Sequence, residues 1–165
     1  MKSKHSLTTC LWFDKQAEEA ANFYISVFPN SRILDISRYD AASSEASGMS
    51  EGSVLTVLFE LDGHKFMGLN GGPTFTFSEA VSVMVDCETQ AEIDYYWTAL
   101  TADGGQESAC GWLKDKYGFS WQIVPKDWAN LINNQDQAKA GRAMQAMLGM
   151  RKLDIAELKR AFDGK

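Results

Sequence analysis

The residues best suited to chemistry in this sequence are three cysteines, Cys10, Cys87 and Cys110. They stand too far apart for a CxxC zinc motif and are too few for a disulfide framework. Cys110 is a candidate nucleophile, but a reactive thiolate needs a neighbouring base or a positive field, which the flanking residues do not reveal. A small buried cysteine needs neither, so we favour packing roles for all three.

Two further patterns resemble functional motifs without meeting their requirements. Lys114, Asp115 and Lys116 form a charged run, but adjacent residues of a turn point in different directions, which favours a solvated turn. Gly71-Gly72-Pro73 lacks the strand, glycine loop and helix context of a nucleotide-binding site, so it is interpreted as a linker. Neither pattern identifies a catalytic residue or a site for a methyl donor.

Composition and charge limit which class of protein this sequence can form. The chain has 165 residues, of which 45% are hydrophobic, and this fits one compact domain or two small halves that share a core. Its net charge of −6 opposes binding to nucleic acid and to anionic membranes. The longest apolar runs, such as 54–59, are too short to cross a bilayer, and Asp14 interrupts any signal-peptide core. We therefore expect a soluble cytoplasmic protein that binds neither nucleic acid nor membrane.

The order of predicted elements occurs twice along the chain. Hydrophobic periodicity and turn residues predict a first set of strand, helix and three strands at residues 8–13, 17–28, 31–39, 54–61 and 64–70. Asp14 is expected to cap the first helix, Asp62-Gly63 to form a hairpin turn, and the small polar residues 40–52 to form an exposed loop. The second set is predicted as a strand at 81–85, a helix from Glu88, and strands at 111–115 and 119–124.

This repetition predicts an α+β protein of two βαβββ modules, 6–72 and 78–126, within a single domain 1–165. The tripeptide Gln-Ala-Glu occurs in both predicted helices. Each helix covers one face of its sheet, so the remaining faces would pair and leave a cavity between the modules. Residues 127–165 are predicted to form a helical tail, whose methionine-rich stripe either packs into the core, which we favour, or builds a dimer interface.

Three runs of residues resemble a known family: Leu-Trp-Phe-Asp at 11–14, Asn-Gly-Gly-Pro-Thr-Phe-Thr-Phe at 70–77, and Cys-Gly-Trp-Leu-Lys-Asp-Lys-Tyr-Gly-Phe-Ser-Trp-Gln-Ile-Val-Pro at 110–125. They are similar to the PhnB-like family, described as demethylubiquinone methyltransferase-type, of the glyoxalase/bleomycin resistance/dioxygenase (vicinal oxygen chelate) superfamily. Residues 144–148 and 152–158 of the tail match as well, so the resemblance spans nearly the whole chain. It implies a cupped mixed sheet of paired βαβββ modules and a homodimer, whereas the fold alone implies no function.

Strand alternation predicts which side chains face the cavity. It places there Phe66, Gly68, Asn70, Ala80, Ser82, Met84, Ser120, Gln122 and Val124. The first strand is ambiguous by this criterion, and its similarity to glyoxalases places Thr9, Leu11 and Phe13 inside. Trp112 lies in a strand whose facing is undetermined, but in the cavity it would stack on a planar ligand. The predicted ligand-binding residues are Thr9, Phe13, Asn70, Ser82, Trp112 and Gln122.

The resemblance also specifies where a metal site would lie. Superfamily members that bind metal place His or Glu at one cavity-facing position on each of four strands. These positions correspond here to Thr9, Gly68, Ala80 or Ser82, and Gln122. Hydroxyl and neutral amide groups bind divalent transition metals weakly, and the histidines, His5 and His64, match none of these positions. We therefore expect no metal and no cofactor.

The leading hypothesis is a metal-free pocket between the modules that binds a hydrophobic small molecule. Its predicted polar groups include no titratable acid or base, which favours binding over catalysis. Two alternatives stay open. The protein is an enzyme, either metal-dependent or a demethylubiquinone-type methyltransferase as the family description implies, or it is an interaction module whose tail mediates dimerisation. The expected partners are thus an unidentified small molecule and a second copy of the chain.

Overall fold

The computed structural model describes residues 7–165, in which the chain divides into two compact units at Thr76. The predicted modules 6–72 and 78–126 fall one within each unit, and the predicted tail belongs to the second unit. His5 lies outside the described residues. Within the described range, no helix is long and apolar enough to cross a membrane.

The first unit contains a four-stranded mixed sheet. Its elements are β1 (Thr9–Phe13), α1 (Ala17–Val27), β2 (Arg32–Arg38), α2 (Ala41–Ser47), β3 (Val54–Leu61) and β4 (His64–Asn70). The strand order is β1-β4-β3-β2, in which β1 runs parallel to β4 and the other neighbours are antiparallel. Asp62 and Gly63 both have positive φ, as the predicted two-residue hairpin turn requires.

Helix α1 packs closely on one face of this sheet. The ring of Tyr24 stacks on Phe59 with centroids 6.1 Å apart, and Phe59 stacks on Phe66 at 5.4 Å. At Gly68 the strand passes directly beneath the helix, because a Cβ built there would lie 3.0 Å from the Cβ of Ala17. These contacts identify the α1-covered face of the first sheet.

Residues 40–52 contain a helix that the sequence pattern did not predict. Asp40 begins α2 through a capping box: its carboxylate accepts from Ser43 N at 2.8 Å, and Ser43 Oγ accepts from Asp40 N at 3.0 Å. The helix ends at Gly48, whose φ of 75° is left-handed. No residue of α2 is buried, so it lacks the apolar periodicity that would have predicted it.

The second unit repeats the topology of the first. Its sheet and helix consist of β5 (Ser82–Cys87), α3 (Gln90–Thr101), a 3-10 turn (Ala102–Gly104), β6 (Gln106–Glu107), β7 (Trp112–Lys114) and β8 (Ser120–Pro125). The strand order is β5-β8-β7-β6, with β5 parallel to β8. Thr89 and Glu92 form the capping box that begins α3. The prediction of two βαβββ modules in an α+β protein is therefore confirmed.

The tail forms three helices, α4 (Trp128–Ile132), α5 (Gln137–Leu148) and α6 (Ile155–Asp163). Val124 of β8 forms a buried cluster with Leu153 and Leu158, against which Trp128, Leu131, Ala146, Met147 and Met150 pack. Gln90 fixes the tail to α3, since its amide donates to the carbonyl of Leu153 at 3.1 Å and accepts from Ile155 N at 2.9 Å. The methionine-rich stripe therefore contributes to packing within the second unit.

Candidate ligand-binding site

Three of the predicted binding residues lie in the first unit, on the face that α1 covers. Across the parallel pair β1–β4, Thr9 is opposite Phe66, Leu11 opposite Gly68, and Phe13 opposite Asn70. Phe13 and Asn70 are 4% and 3% exposed. The prediction that Thr9, Leu11, Phe13, Phe66, Gly68 and Asn70 face an open cavity is wrong. Both faces of β1 and β4 carry large apolar side chains, so alternation alone did not distinguish them.

Asn70 instead connects α1 to the sheet. Its Oδ1 accepts from Ala17 N at 2.8 Å, its Nδ2 donates to Val54 O at 3.0 Å, and its carbonyl accepts from the hydroxyl of Tyr39 at 2.5 Å. Asp14 was expected to cap α1, and this prediction is wrong. The N-cap position is occupied by Gln16, whose side chain makes no capping hydrogen bond. A distant amide thus satisfies an N-terminal N–H of α1.

Replacing Asn70 with alanine is expected to lower the free energy of unfolding by about 2 kcal/mol, because one buried and one partly buried side-chain hydrogen bond are lost. The measurement is urea unfolding, monitored by tryptophan fluorescence. Asn22→Ala is the control, because Asn22 is exposed and donates to Glu18 O within its own helix, and a change below about 0.5 kcal/mol is expected there. Equal effects of the two substitutions would contradict this role of Asn70.

The other three predicted residues lie together in the second unit. One row of paired residues crosses this sheet: Met84 of β5 lies opposite Gln122 of β8, which lies opposite Trp112 of β7. Gln122 Nε2 donates to Ser82 Oγ at 2.8 Å, which joins this row to the next. The register also determines the facing of Trp112, which the sequence left undetermined: it shares a face with Gln122.

Helix α3 packs on the opposite face of this sheet. The members of that face are the apolar residues Val83, Val85, Leu113, Trp121 and Ile123. Met84, on the other face, is 53% exposed. Ser82, Met84 and Gln122 thus lie on the face away from α3, as predicted. The expectation that Val124 faces a cavity is wrong, because Val124 is 5% exposed and packs in the tail cluster with Leu153 and Leu158. Ala80 precedes β5 and has no place in this row.

Beside the row lies a pocket of about 430 Å³ within the second unit. It is lined by Glu79, Trp112, Leu113, Lys114, Ser120 and residues 106–110. Lys114 Nζ pairs with Glu79 Oε1 at 2.5 Å, and this hydrogen bond holds the pKa of Glu79 below its usual value. Ser120 is 1% exposed, and its Oγ has no hydrogen-bond partner among the described residues. Sequence reasoning placed Ser120 on this face but did not identify it or Lys114 as functional.

The cysteines occupy different environments. Cys87 is buried, and burial, followed by the charges of Glu92 and Asp86, raises the pKa of its thiol to about 12. Its thiol therefore stays protonated at neutral pH, in agreement with a packing role. Cys110 lines the pocket with a left-handed backbone, φ 59°, and its N–H donates to Met150 O at 2.8 Å.

The positions at which the sequence resemblance would place a metal do not form a ligand set here, and the two in the first unit, Thr9 and Gly68, lie on the α1-covered face. Gly68 has no side chain and lies beneath α1, and Ser82 and Gln122 offer a hydroxyl and a neutral amide. Within residues 7–165, no three His, Cys, Asp or Glu side chains come close enough to bind a metal ion together. The residues at these positions do not fit a divalent transition metal.

The repeated βαβββ unit, with parallel first and last strands and one helix-covered face, is that of the glyoxalase/bleomycin resistance fold. Residues 5–124 match the family described as 3-demethylubiquinone-9 3-methyltransferase. The chain belongs to this PhnB-like family. The match ends at 124, so it does not include the helical tail that the sequence resemblance covered.

Two solved structures illustrate the similarity. A PhnB protein from Bacillus cereus, provisionally assigned as a 3-demethylubiquinone-9 3-methyltransferase, is 41% identical over 73% of this chain and 99% of its own, with a TM-score of 0.64. Protein PA1353 from Pseudomonas aeruginosa is 14% identical over 74% of this chain and 98% of its own, with a TM-score of 0.59, and so is alike in fold alone. A comparison with curated proteins gave no match.

Proposed function

We propose that this protein binds a planar, largely apolar small molecule on the face of the second sheet formed by Ser82, Met84, Trp112 and Gln122. The observation that carries the proposal is the row Met84–Gln122–Trp112, in which an exposed thioether and an indole flank an amide held by Ser82. Sites for small molecules combine apolar walls with a few oriented polar groups, and this row has that composition.

The two apolar members of the row suit a flat ligand. Trp112 is half-buried and Met84 largely exposed. An indole stacks on planar rings, and a thioether makes favourable contacts with aromatic groups. A planar ligand on this face would therefore contact both side chains at once.

The polar members supply orientation without acid–base chemistry. The bond from Gln122 Nε2 to Ser82 Oγ fixes the amide, and its Oε1 and second N–H remain suited to a ligand. None of Ser82, Met84, Trp112 and Gln122 titrates near neutral pH, which supports binding rather than proton transfer at this row.

The test is a titration of nitrogen-15-labelled protein, followed through the tryptophan indole N–H signals. The probes are a short-chain ubiquinone with one isoprene unit, chosen from the family description, and uncharged naphthamide. The Trp112 signal is expected to shift, whereas the Trp12 indole, bonded to Gly72 O, serves as an internal control. Trp112→Leu should weaken binding at least about tenfold, because the stacking surface is removed. An unmoved Trp112 signal with both probes, or unchanged affinity in Trp112→Leu, overturns the proposal.

Methyl transfer is a second candidate, because the family description names it. It is tested by incubating the protein with S-adenosylmethionine and a demethylated short-chain ubiquinol and measuring the product by mass spectrometry. The binding proposal expects unchanged quinol. A methylated product that is lost in Trp112→Leu would assign catalysis to the same face. The homodimer and the cytoplasmic location stay predictions.

A further inference from the structure

The pocket beside the proposed binding row contains a buried hydroxyl that lacks a partner. Ser120 lies directly opposite Lys114 on β7 and opposite Ser82 on β5. Ser82 Oγ already accepts from Gln122, and Ser120 Oγ has no hydrogen-bond partner among the described residues although its residue is 1% exposed. Buried polar groups are nearly always hydrogen-bonded, so a group that enters the pocket is the expected partner of Ser120.

The pocket also offers one cation whose present partner is exchangeable. Lys114 Nζ pairs with Glu79 Oε1 at 2.5 Å, and the Glu79 side chain is 64% exposed. Exposed ion pairs contribute little stability, so another carboxylate can replace Glu79 at little cost. The second acid at the pocket, Glu107, is already engaged by Trp97 Nε1 at 2.7 Å and by Arg151 at 3.9 Å.

We propose that the ligand carries a carboxylate, which replaces Glu79 at Lys114 and accepts a hydrogen bond from Ser120 Oγ, while its planar body lies on Trp112. This inference rests on the proposed function and adds the chemical class of the ligand: a planar or aromatic monocarboxylic acid. Glu79 then acts as an internal carboxylate that occupies the site until the ligand displaces it.

The strand geometry makes the two contacts compatible. Trp112 and Lys114 are two residues apart on β7 and share a face, so their Cα atoms lie about 7 Å apart. Ser120 pairs with Lys114 across the sheet, about 5 Å away. A carboxylate attached directly to an aromatic ring can therefore reach Lys114 and Ser120 while the ring contacts the indole.

The test compares naphthoate with naphthamide, which differ in charge but hardly in shape. Naphthoate is expected to bind about tenfold more tightly than naphthamide, since a charge-assisted hydrogen bond is stronger than a neutral one. Ser120→Ala and Lys114→Gln should each abolish most of this preference, because the affinity for naphthoate falls much more than the affinity for naphthamide, whose carbonyl loses only a weaker hydrogen bond. Glu79→Gln, which removes the competing carboxylate, should strengthen naphthoate binding about threefold.

Lys116→Gln is the matched control, because it removes the same charge from the neighbouring turn and should keep the preference for naphthoate. Equal affinities of the two probes, with the Trp112 signal shifted by both, would overturn the carboxylate inference and leave the proposed function standing. A preference that persists in both Ser120→Ala and Lys114→Gln would also overturn it. If neither naphthamide nor the short-chain ubiquinone shifts the Trp112 signal, the proposed function itself fails.

Discussion

Replacing Asp115 with alanine is expected to destabilise the protein by about 4 kcal/mol, a large effect for a single polar substitution. Asp115 is 2% exposed. One carboxylate oxygen accepts from Tyr117 N at 2.9 Å and Phe119 N at 3.0 Å, and the other accepts from Trp121 Nε1 at 2.8 Å. Alanine would leave these three donors without their charged acceptor in the core of the second unit.

Urea unfolding measures this effect, and the midpoint should fall by about 2 M for a typical dependence of about 2 kcal/mol per molar urea. Asp94→Ala is the matched control: Asp94 is about half exposed and pairs with Lys152 at the surface, so a much smaller shift is expected. A shift for Asp115→Ala no larger than that of Asp94→Ala would show that its three hydrogen bonds do not stabilise the fold.

The role of Asp115 was not predictable from its neighbours in sequence. Between Lys114 and Lys116 it has the composition of a solvated turn, and that interpretation is wrong because the turn closes over its carboxylate. Gly118 N donates to Asp115 O at 2.9 Å, and this tight turn directs the carboxylate back toward β8. The partner that buries it, Trp121, follows six residues later, on the apolar face of β8. Only the pairing of β7 with β8 brings the two together.

The two sheets show where hydrophobic alternation predicts the facing of a strand and where it does not. In β8, Trp121 and Ile123 alternate with Ser120 and Gln122, so the face covered by α3 could be predicted, and with it the facing of Ser82 and Gln122. The burial of Ser120 on the other face could not be predicted in this way. In the first unit every position of β4 from Phe66 to Leu69 is apolar or glycine. Because no polar residue marks one face, the prediction of which face of β4 lines a cavity was wrong. The absence of a side chain at Gly68 was the available signal, since a glycine within a strand often marks close approach of another backbone.

The topology was predictable because it depends on local sequence signals. Turn residues, capping residues and hydrophobic periodicity are local, and they recur in the same order in both units. The ion pair between Lys114 and Glu79 and the unpartnered hydroxyl of Ser120 are not local, because they depend on the conformation of the segment before β5. The candidate site was thus predictable in its strands but not in its pocket.

Replacing Gly111 with alanine is the second substitution with a large expected effect, because this residue connects the tail to the second sheet. Its N–H donates to Arg151 O at 2.8 Å, and its carbonyl accepts from Ile123 N at 2.7 Å. Gly111 has φ +82°, and a Cβ there would lie 2.8 Å from the carbonyl oxygen of Ile123 and 3.1 Å from Leu153 Cδ1. The oxygen belongs to the backbone of β8 and cannot move without disturbing the strand.

The free energy of unfolding is expected to fall by about 3 kcal/mol. This is the sum of the cost of alanine in a left-handed backbone and the cost of a steric conflict with buried groups. Gly118→Ala separates the two terms: Gly118 has φ +84°, but a Cβ added there would meet nothing within 4 Å, so about 1 kcal/mol is expected. Hydrogen exchange should also be faster at the amides of Cys110 and Gly111 in Gly111→Ala, since both donate to residues 150–151 of the tail. Equal losses for the two glycines, with unchanged exchange at Cys110, would mean that contact with Ile123 and Leu153 does not hold the tail in place.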